Sequence, residues 1–368
     1  MHILILTGKF GMGHWSASQS LRLQLLSAFP GAEVDVEDFF AYALPDASET
    51  LYKCFSLLVT RGSGLYNLYY KATDLAAPLR ARPPLEDLFQ DKLGELLWER
   101  RPDAVIATHP FCAQLVSDYK EEVGSDLPLV TCITDLSSHS EWLHPGTDCY
   151  LVGSRSIREA LTAKGVEPGR VHVTGIPVRP QFQPPAGRGS RPGGDGTRRL
   201  LIMGGGLGML PRRSGFYEAL NALPGTETTL LTGHNRKLYE KLAGRYPHIQ
   251  VVGFTDRVYD YMAQADLMLS KPGGITLFET IFSELPMLAW EPTLQQERDN
   301  ARFLVRRGIG RVAPREPEGC LEAVRGLLYD DPALAAMRAH MRALKGELEA
   351  QSLERIVSAL TAAKGVDD

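Results

Sequence analysis

The residues best suited to chemistry lie in the run Lys271-Pro272-Gly273-Gly274-Ile275-Thr276-Leu277-Phe278-Glu279. An apolar stretch, Leu267–Ser270, leads into the Gly-Gly turn and a helical pattern follows, so strand, tight turn and helix start come in order. The uncovered N–H groups of such a helix start favour an anion. Thr276 falls where it either caps the helix or touches a phosphate. Glu279 lies one turn on, where a carboxylate can accept two hydrogen bonds from a vicinal diol such as a ribose. The alternative is a solvated glutamate near a favourable dipole end. After the next apolar run comes the polar cluster Glu291–Asn300, with Gln296 and Glu297 at its centre. It suits a sugar with several hydroxyls, or an exposed loop.

Two glycine loops carry a weaker signal. Gly8-Lys9-Phe10-Gly11-Met12-Gly13-His14 follows the apolar run Ile3–Leu6. It is neither a P-loop nor the dinucleotide G-x-G-x-x-G. Gly11 and Gly13 still place small residues and a helix start at a strand's carboxyl end, open to an anion or to an acceptor's polar groups. His14 stands where strand passes to helix, either as a base or as a structural histidine. The second loop, Gly204–Gly208, follows Leu200–Met203. Its Gly205 and Gly206 let the backbone approach a diphosphate closely, or simply make a tight turn. Asp135 follows the buried run Leu129–Ile133, and His109 stands in Thr108-His109-Pro110 after Ala104–Ala107.

The elements that must position these groups alternate strand and helix. Further strand candidates are Glu33–Val36, Cys149–Val152, Val171–Thr174, Thr229–Thr232, Gln250–Phe254 and Met287–Trp290. Short continuous apolar runs suit parallel strands covered on both faces, and the strand-plus-glycine-loop pattern occurs twice, which predicts two α/β domains in tandem. The Pro/Gly-dense segment 180–197 reads as a linker. The expected organisation is an N-terminal domain at 1–179, a C-terminal domain at 198–335, and terminal helices at 336–368 that either stand alone or pack back on the first domain. Ligands of such doubly wound domains bind at the strand carboxyl ends.

Composition narrows the class. At 368 residues the chain exceeds one ordinary core, and 44% apolar with 23% charged residues is that of a soluble globular protein. A formal charge of −4 argues against a nucleic-acid partner. The five scattered cysteines, Cys54, Cys112, Cys132, Cys149 and Cys320, lack a C-x-x-C and fit reduced thiols in the cytoplasm. The first residues do not read as a signal peptide, and no apolar window reaches the ~18–20 residues of a membrane span. Between Phe39 and Trp98 the chain is rich in aromatics (Phe39, Phe40, Tyr42, Tyr52, Phe55, Tyr66, Tyr69, Tyr70), with Lys53, Arg61, Lys71, Arg80 and Arg82 interspersed. That segment reads either as a membrane-interface surface or as core aromatics under a solvated face.

Taken in order, K-P-G-G-x-T-x-x-E, then L-P at Leu285-Pro286 and Q-E-x-x-N at Gln296–Asn300, resemble the donor site of glycosyltransferase family 28. The likeness to its diacylglycerol branch, the monogalactosyldiacylglycerol synthases and processive diacylglycerol glucosyltransferases, extends over more than 250 residues. It takes in Gly11-Met12-Gly13-His14, Thr108-His109-Pro110, Thr134-Asp135-Leu136, the run His139 to Pro145, Val173–Pro180, Gly233-His234-Asn235 and Gly253-Phe254.

The resemblance implies a GT-B fold, two Rossmann-like domains facing across a cleft, with acceptor in the N-terminal domain and UDP-sugar in the C-terminal one. By that similarity Glu279 holds the ribose, Phe254 and its neighbours meet uracil through the backbone, and Asn235 lines the nucleotide pocket. Gly205, Gly206, Lys271, Gly274 and Thr276 surround the diphosphate, while Gln296 and Glu297 read the sugar hydroxyls. Gly11, Gly13 and His109 belong to the acceptor side. Transfer is expected to invert the anomeric carbon. No D-x-D motif is present, so no metal or other cofactor is expected and Lys271, helix starts and backbone N–H groups are to neutralise the leaving diphosphate. His14, Asp135 and, less simply, His109 compete for the role of base. The implied acceptor is a diacylglycerol-type lipid at the inner face of the membrane. A soluble small-molecule glycosyltransferase, a UDP-sugar 2-epimerase and a non-catalytic nucleotide-sugar-binding regulator are the alternatives.

Overall fold

A computed structural model describes residues 1–61, 64, 67–68, 70, 74, 85–183, 196–206, 208, 210–211, 213–349 and 352–364. The chain divides into two compact units. The first comprises Met1–Arg179, Leu294–Gln296 and Leu348–Asp368, and the second Pro180–Thr293 with Glu297–Glu347.

In chain order the first unit holds β1 (His2–Thr7), α1 (Met12–Ala28), β2 (Glu33–Asp38), α2 (Phe39–Ala43), α3 (Ser48–Arg61), α4 (Glu86–Arg100) and β3 (Ala104–Ala107). There follow α5 (Pro110–Val123), β4 (Leu129–Cys132), β5 (Cys149–Val152), α6 (Arg155–Ala163) and β6 (Val171–Val173). The strands form one parallel sheet, ordered β2-β1-β3-β4-β5-β6. Side chains of β1 alternate between two cores, as the period of two demands. Ile3 and Ile5 pack on Leu21 and Leu25 of α1, while Leu4 and Leu6 pack with Phe39, Phe40, Phe89 and Leu93.

The second unit holds β7 (Arg198–Met203), α7 (Ser214–Asn221), β8 (Thr226–Leu231), α8 (Arg236–Leu242), β9 (Ile249–Val252), α9 (Val258–Gln264) and β10 (Leu267–Ser270). It continues with α10 (Gly274–Ser283), β11 (Met287–Trp290), α11 (Gln295–Arg306), β12 (Gly310–Ala313), α12 (Pro317–Leu328) and α13 (Asp331–Gly346). Its parallel sheet runs β12-β11-β10-β7-β8-β9.

Each sheet reverses its strand order beside its first strand, between β1 and β3 and again between β7 and β10. Loops leaving adjacent strands at such a reversal diverge and open a crevice at the carboxyl ends. The loops brought together this way are 8–14 with 108–110, and 204–208 with 271–276.

Two boundaries differ from the sequence reading. Within 180–197, residues 184–195 lie outside those described, and Phe182 is no linker residue: it is buried and packs edge-on to Tyr259 in the second unit. The helices at 336–368 do not form one group. α13 belongs to the second unit, where Leu334 and Met337 enter the core, so the break falls at Glu347–Leu348. Only α14 (Ser352–Lys364) lies on the first sheet, through Ile356 and Val357.

Candidate active site

In the first unit, the loop after β1 turns into α1 through Gly11, whose φ of 110° is open to glycine and strained for other residues. A side chain at Gly13 would meet no atom within 4 Å, so its backbone faces open space. His14 sits in the first turn of α1, beside the end of β3. Its Nδ1–H donates to the carbonyl oxygen of Thr108 at 2.8 Å. The Thr134 hydroxyl oxygen, also 2.8 Å from Nδ1, shares that hydrogen as a second acceptor. A carbonyl cannot donate, so this network assigns the proton to Nδ1 and leaves the lone pair on Nε2. Beneath the ring, the hydroxyls of Thr7 and Ser18 each lie 2.8 Å from that of Thr108, all three buried. Burial pushes the His14 pKa down to about 4, against the opposing pull of the Thr108 carbonyl. The imidazole is therefore neutral at neutral pH, with an acceptor nitrogen of fixed identity.

The rival bases have different surroundings. His109 caps α5, its Nδ1 accepting from the Phe111 N–H at 3.3 Å. Its ring packs edge-on to His14 at 4.9 Å and against Phe10 and Phe40. Burial, with His14 beside it, holds its pKa well below the ordinary value. Asp135 follows Thr134 at the end of β4. Burial first, and then the charges of Asp135 and Asp74, raise the Glu141 carboxyl to about 8. The Glu141 carboxyl thus holds its proton at pH 7. Trp142, fully buried, has its ring centroid 6.2 Å from that of His14. Of the aromatic-rich segment, Phe39 and Phe40 are core, and Phe10 gathers Phe40, Tyr52 and Phe55 around it at 4.6–5.1 Å. Tyr66, Tyr69, Lys71, Arg80 and Arg82 lie outside the described residues, as does the Arg61 side chain.

In the second unit the glycine loop is fixed by close backbone contact. A side chain at Gly208 would stand 2.0 Å from the Thr232 carbonyl, and one at Gly233 would stand 2.7 Å from those of Gly205 and Gly206. The His234 N–H donates to Gly206 O at 3.1 Å. Asn235 uses both ends internally: Nδ2 donates to Gly208 O at 3.0 Å, and Oδ1 accepts from the Leu238 N–H at 3.1 Å, capping α8. It ties loop 204–208 to α8, a positioning task. Gly205, at φ 68°, would place a side chain in open space.

Beside this loop, α10 starts at Gly274 with no side-chain cap and no acidic residue in its first turn. Its leading N–H groups are unclaimed by a cap, as an anion site requires. The Asn300 amide, 1% exposed, donates to Pro272 O at 2.9 Å and fixes the turn. Lys271 Nζ lies 3.5 Å from Glu297 Oε1, and Thr276 stands at the turn, its Oγ1 3.7 Å from where a Gly273 side chain would begin. Glu279 is 9% exposed, so it is not a solvated surface glutamate. Phe254, 54% exposed, stacks on His234 with ring centroids 4.2 Å apart at 14°. Gln296 groups with the first unit, and Glu297 with the second. Among the described residues, His2, Glu33 and Asp35 offer the one cluster of metal-type ligand atoms, at the amino edge of the first sheet, and Arg100 already pairs with Asp35 there.

The family model for monogalactosyldiacylglycerol (MGDG) synthase matches residues 14–178. The processive diacylglycerol beta-glucosyltransferase of Bacillus subtilis (strain 168) is 30% identical over 355 residues, covering 93% of this chain and 91% of that protein. The chain belongs to this glycosyltransferase family. The protein of the same name from Bacillus pumilus (strain SAFR-032) is also 30% identical, over 96% of this chain and 94% of its own. Among solved structures, MurG of Acinetobacter baumannii aligns with a TM-score of 0.63 at 15% identity, covering 98% of this chain and 99% of that one. The spinosyn rhamnosyltransferase SpnG aligns at 0.62 and 17%, covering 98% and 100%. These are GT-B glycosyltransferases, and at such identities the likeness establishes the fold. A similar likeness to a UDP-N-acetylglucosamine 2-epimerase from Listeria monocytogenes (TM-score 0.58, 14% identity, 100% and 97% covered) extends no further than fold.

For this glycosyltransferase, sequence reasoning named His14 but not its holders, Thr108 and Thr134. Both stood inside motifs already quoted, T-H-P and T-D-L. Asn300 and His234 were likewise motif letters with no role attached. Glu141 carried no sequence signal, because its unusual carboxyl arises from burial and from neighbours at 74 and 135.

Proposed function

We propose that this glycosyltransferase moves a hexose from a UDP-sugar to the free hydroxyl of a diacylglycerol-type lipid, with inversion, at the inner face of the membrane. The observation that carries the reading is the His14 imidazole, neutral and with its Nε2 lone pair fixed by the Nδ1–H bond to Thr108. Nε2 takes the acceptor hydroxyl's proton as that oxygen forms its bond to the anomeric carbon. The bond from that carbon to the diphosphate oxygen breaks, and its electron pair leaves with UDP. Loop 204–208, the start of α10 and Lys271 receive the charge, so no metal ion is needed in this scheme. Glu279 accepts the ribose hydroxyls, and the exposed face of Phe254 neighbours the base. The first unit takes the acceptor and the second the donor.

Membership of the diacylglycerol family supports the lipid acceptor. So do Leu57, Leu58, Leu68 and Leu85, which are 38–67% exposed in the stretch 57–85. Apolar side chains displayed this way suit a bilayer surface, and no described helix is long and apolar enough to cross one. The test is UDP release with UDP-glucose and UDP-galactose, using dioleoylglycerol in anionic vesicles. Turnover confined to vesicles is expected. Turnover on soluble acceptors with none on vesicles would sink the lipid assignment.

A further inference from the structure

The second unit carries a pocket of about 540 Å³ beside β7, β8, β9 and α9. Its origin is a mismatch in length. α9 has seven residues and rises ~10 Å, whereas the six-residue strands β7 and β8 extend ~20 Å, so the helix leaves part of the sheet face uncovered. Pairing of Arg199 with Glu227 and of Leu201 with Thr229 and Gln250 puts these side chains on that face. Leu200 points the other way, into the core.

The charges around the pocket are unequally satisfied. Glu227 lies 2.9 Å from His248, and Asp260 accepts from Arg257 Nε at 2.7 Å. The neighbouring Arg198 makes two bonds to Asp331, at 2.7 and 3.0 Å. Arg199 lines the pocket, yet its Nε is buried with no hydrogen-bond partner among the described residues. The guanidinium has no ion-pair partner among the described residues either, and its Nη groups, unlike the buried Nε, are the part an acidic ligand group in the pocket would pair with. The rest of the lining offers hydroxyl and amide groups from Thr229, Gln250, Tyr261 and Gln264, with little apolar wall beyond Leu201 and Ala265.

We propose that this pocket binds a small, soluble, hydroxylated anion, its acidic group on Arg199 and its hydroxyls on Thr229, Gln250 and Tyr261. The volume is that of an ordinary small-ligand site, and the inference is independent of the reaction proposed above.

The test is calorimetric titration of the full chain with sn-glycerol 3-phosphate, with glycerol and inorganic phosphate as partial probes. Saturable one-to-one binding is expected, at least ~10-fold weaker for either partial probe. Arg199→Gln should weaken it a further ~10-fold or more and Gln250→Ala about 3-fold, with circular dichroism and thermal midpoint near wild type. No saturable binding, or binding unchanged in a folded Arg199→Gln protein, overturns the proposal. Inorganic phosphate binding as tightly as glycerol phosphate overturns the hydroxyl contacts. Arg199-dependent sedimentation with phosphatidylglycerol vesicles, without binding of the soluble probe, overturns the soluble class. Should Arg199→Gln not fold, Gln250→Ala and Thr229→Val decide.

Discussion

His14 Nδ1 lies 2.8 Å from the carbonyl oxygen of Thr108, and this single bond decides which ring nitrogen can act as a base. His14→Ala should therefore lower kcat by ~10²–10⁴ with little change in nucleotide affinity. Turnover near wild type at saturating acceptor would transfer the role to Asp135.

The depressed pKa of His14 has a signed consequence for activity. The base works deprotonated, so lowering pH through about 4 removes it, and the acid limb of kcat/KM should fall nearer 4 than 6.5. The same sign applies to stability. His14 and His144, both held near 4 by burial, bind fewer protons folded than unfolded, so stability is lost as pH falls from 6.5 through about 4. Urea midpoints at pH 7, 5.5 and 4.5 measure it.

Glu141 works in the opposite direction. Its carboxyl, raised from 4.5 to about 8, keeps its proton in the fold where the unfolded chain has lost it. This contribution is lost as pH rises from 4.5 to 8. It governs net stability only above about 6.5, where the two histidines no longer change charge, and Glu141→Gln should flatten the decline there. The measurement is the thermal midpoint at pH 6 and pH 9 for both proteins.

Glu279 is tested by the ligand it is assigned to. Wild type should bind 2′-deoxy-UDP ~10-fold more weakly than UDP, and Glu279→Ala should bind the two about equally. A preference unchanged in the variant would remove the ribose role.

Two glycines make contrasting cases. Gly208→Ala meets a carbonyl 2.0 Å away at φ 58° and should cost about 3 kcal/mol or more, whereas Gly13→Ala meets nothing and should leave the fold intact. Chemical denaturation of both proteins compares them, and loss of turnover in a stable Gly13→Ala protein would place the acceptor against that backbone.

Much of the fold was legible because central parallel strands are apolar on both faces. β3, β4, β10 and β11 are wholly buried and, apart from Thr131 and Ser270, read as apolar runs. The edge strand β12 escaped notice, since Gly310-Arg311-Val312-Ala313 begins with glycine and exposes its two middle residues. β8 starts at Thr226, three residues earlier than its apolar end suggests. At the site, residue types revealed candidates but not their partners. Asn235 reads as a ligand contact in sequence, and its amide also ties Gly208 to the start of α8 through bonds to Gly208 and Leu238 that no motif discloses. Glu141 is an ordinary glutamate in sequence, and its raised pKa depends on three-dimensional neighbours.

α14 closes the face of the first sheet with Ile356 and Val357, residues made by the ribosome after the whole second unit. During synthesis the second unit can complete its core first, while Ile3, Ile5 and Leu25 wait with an incomplete cover. The first unit is thus the later of the two to close its core, and its uncovered apolar face is the one a chaperone would meet on the nascent chain.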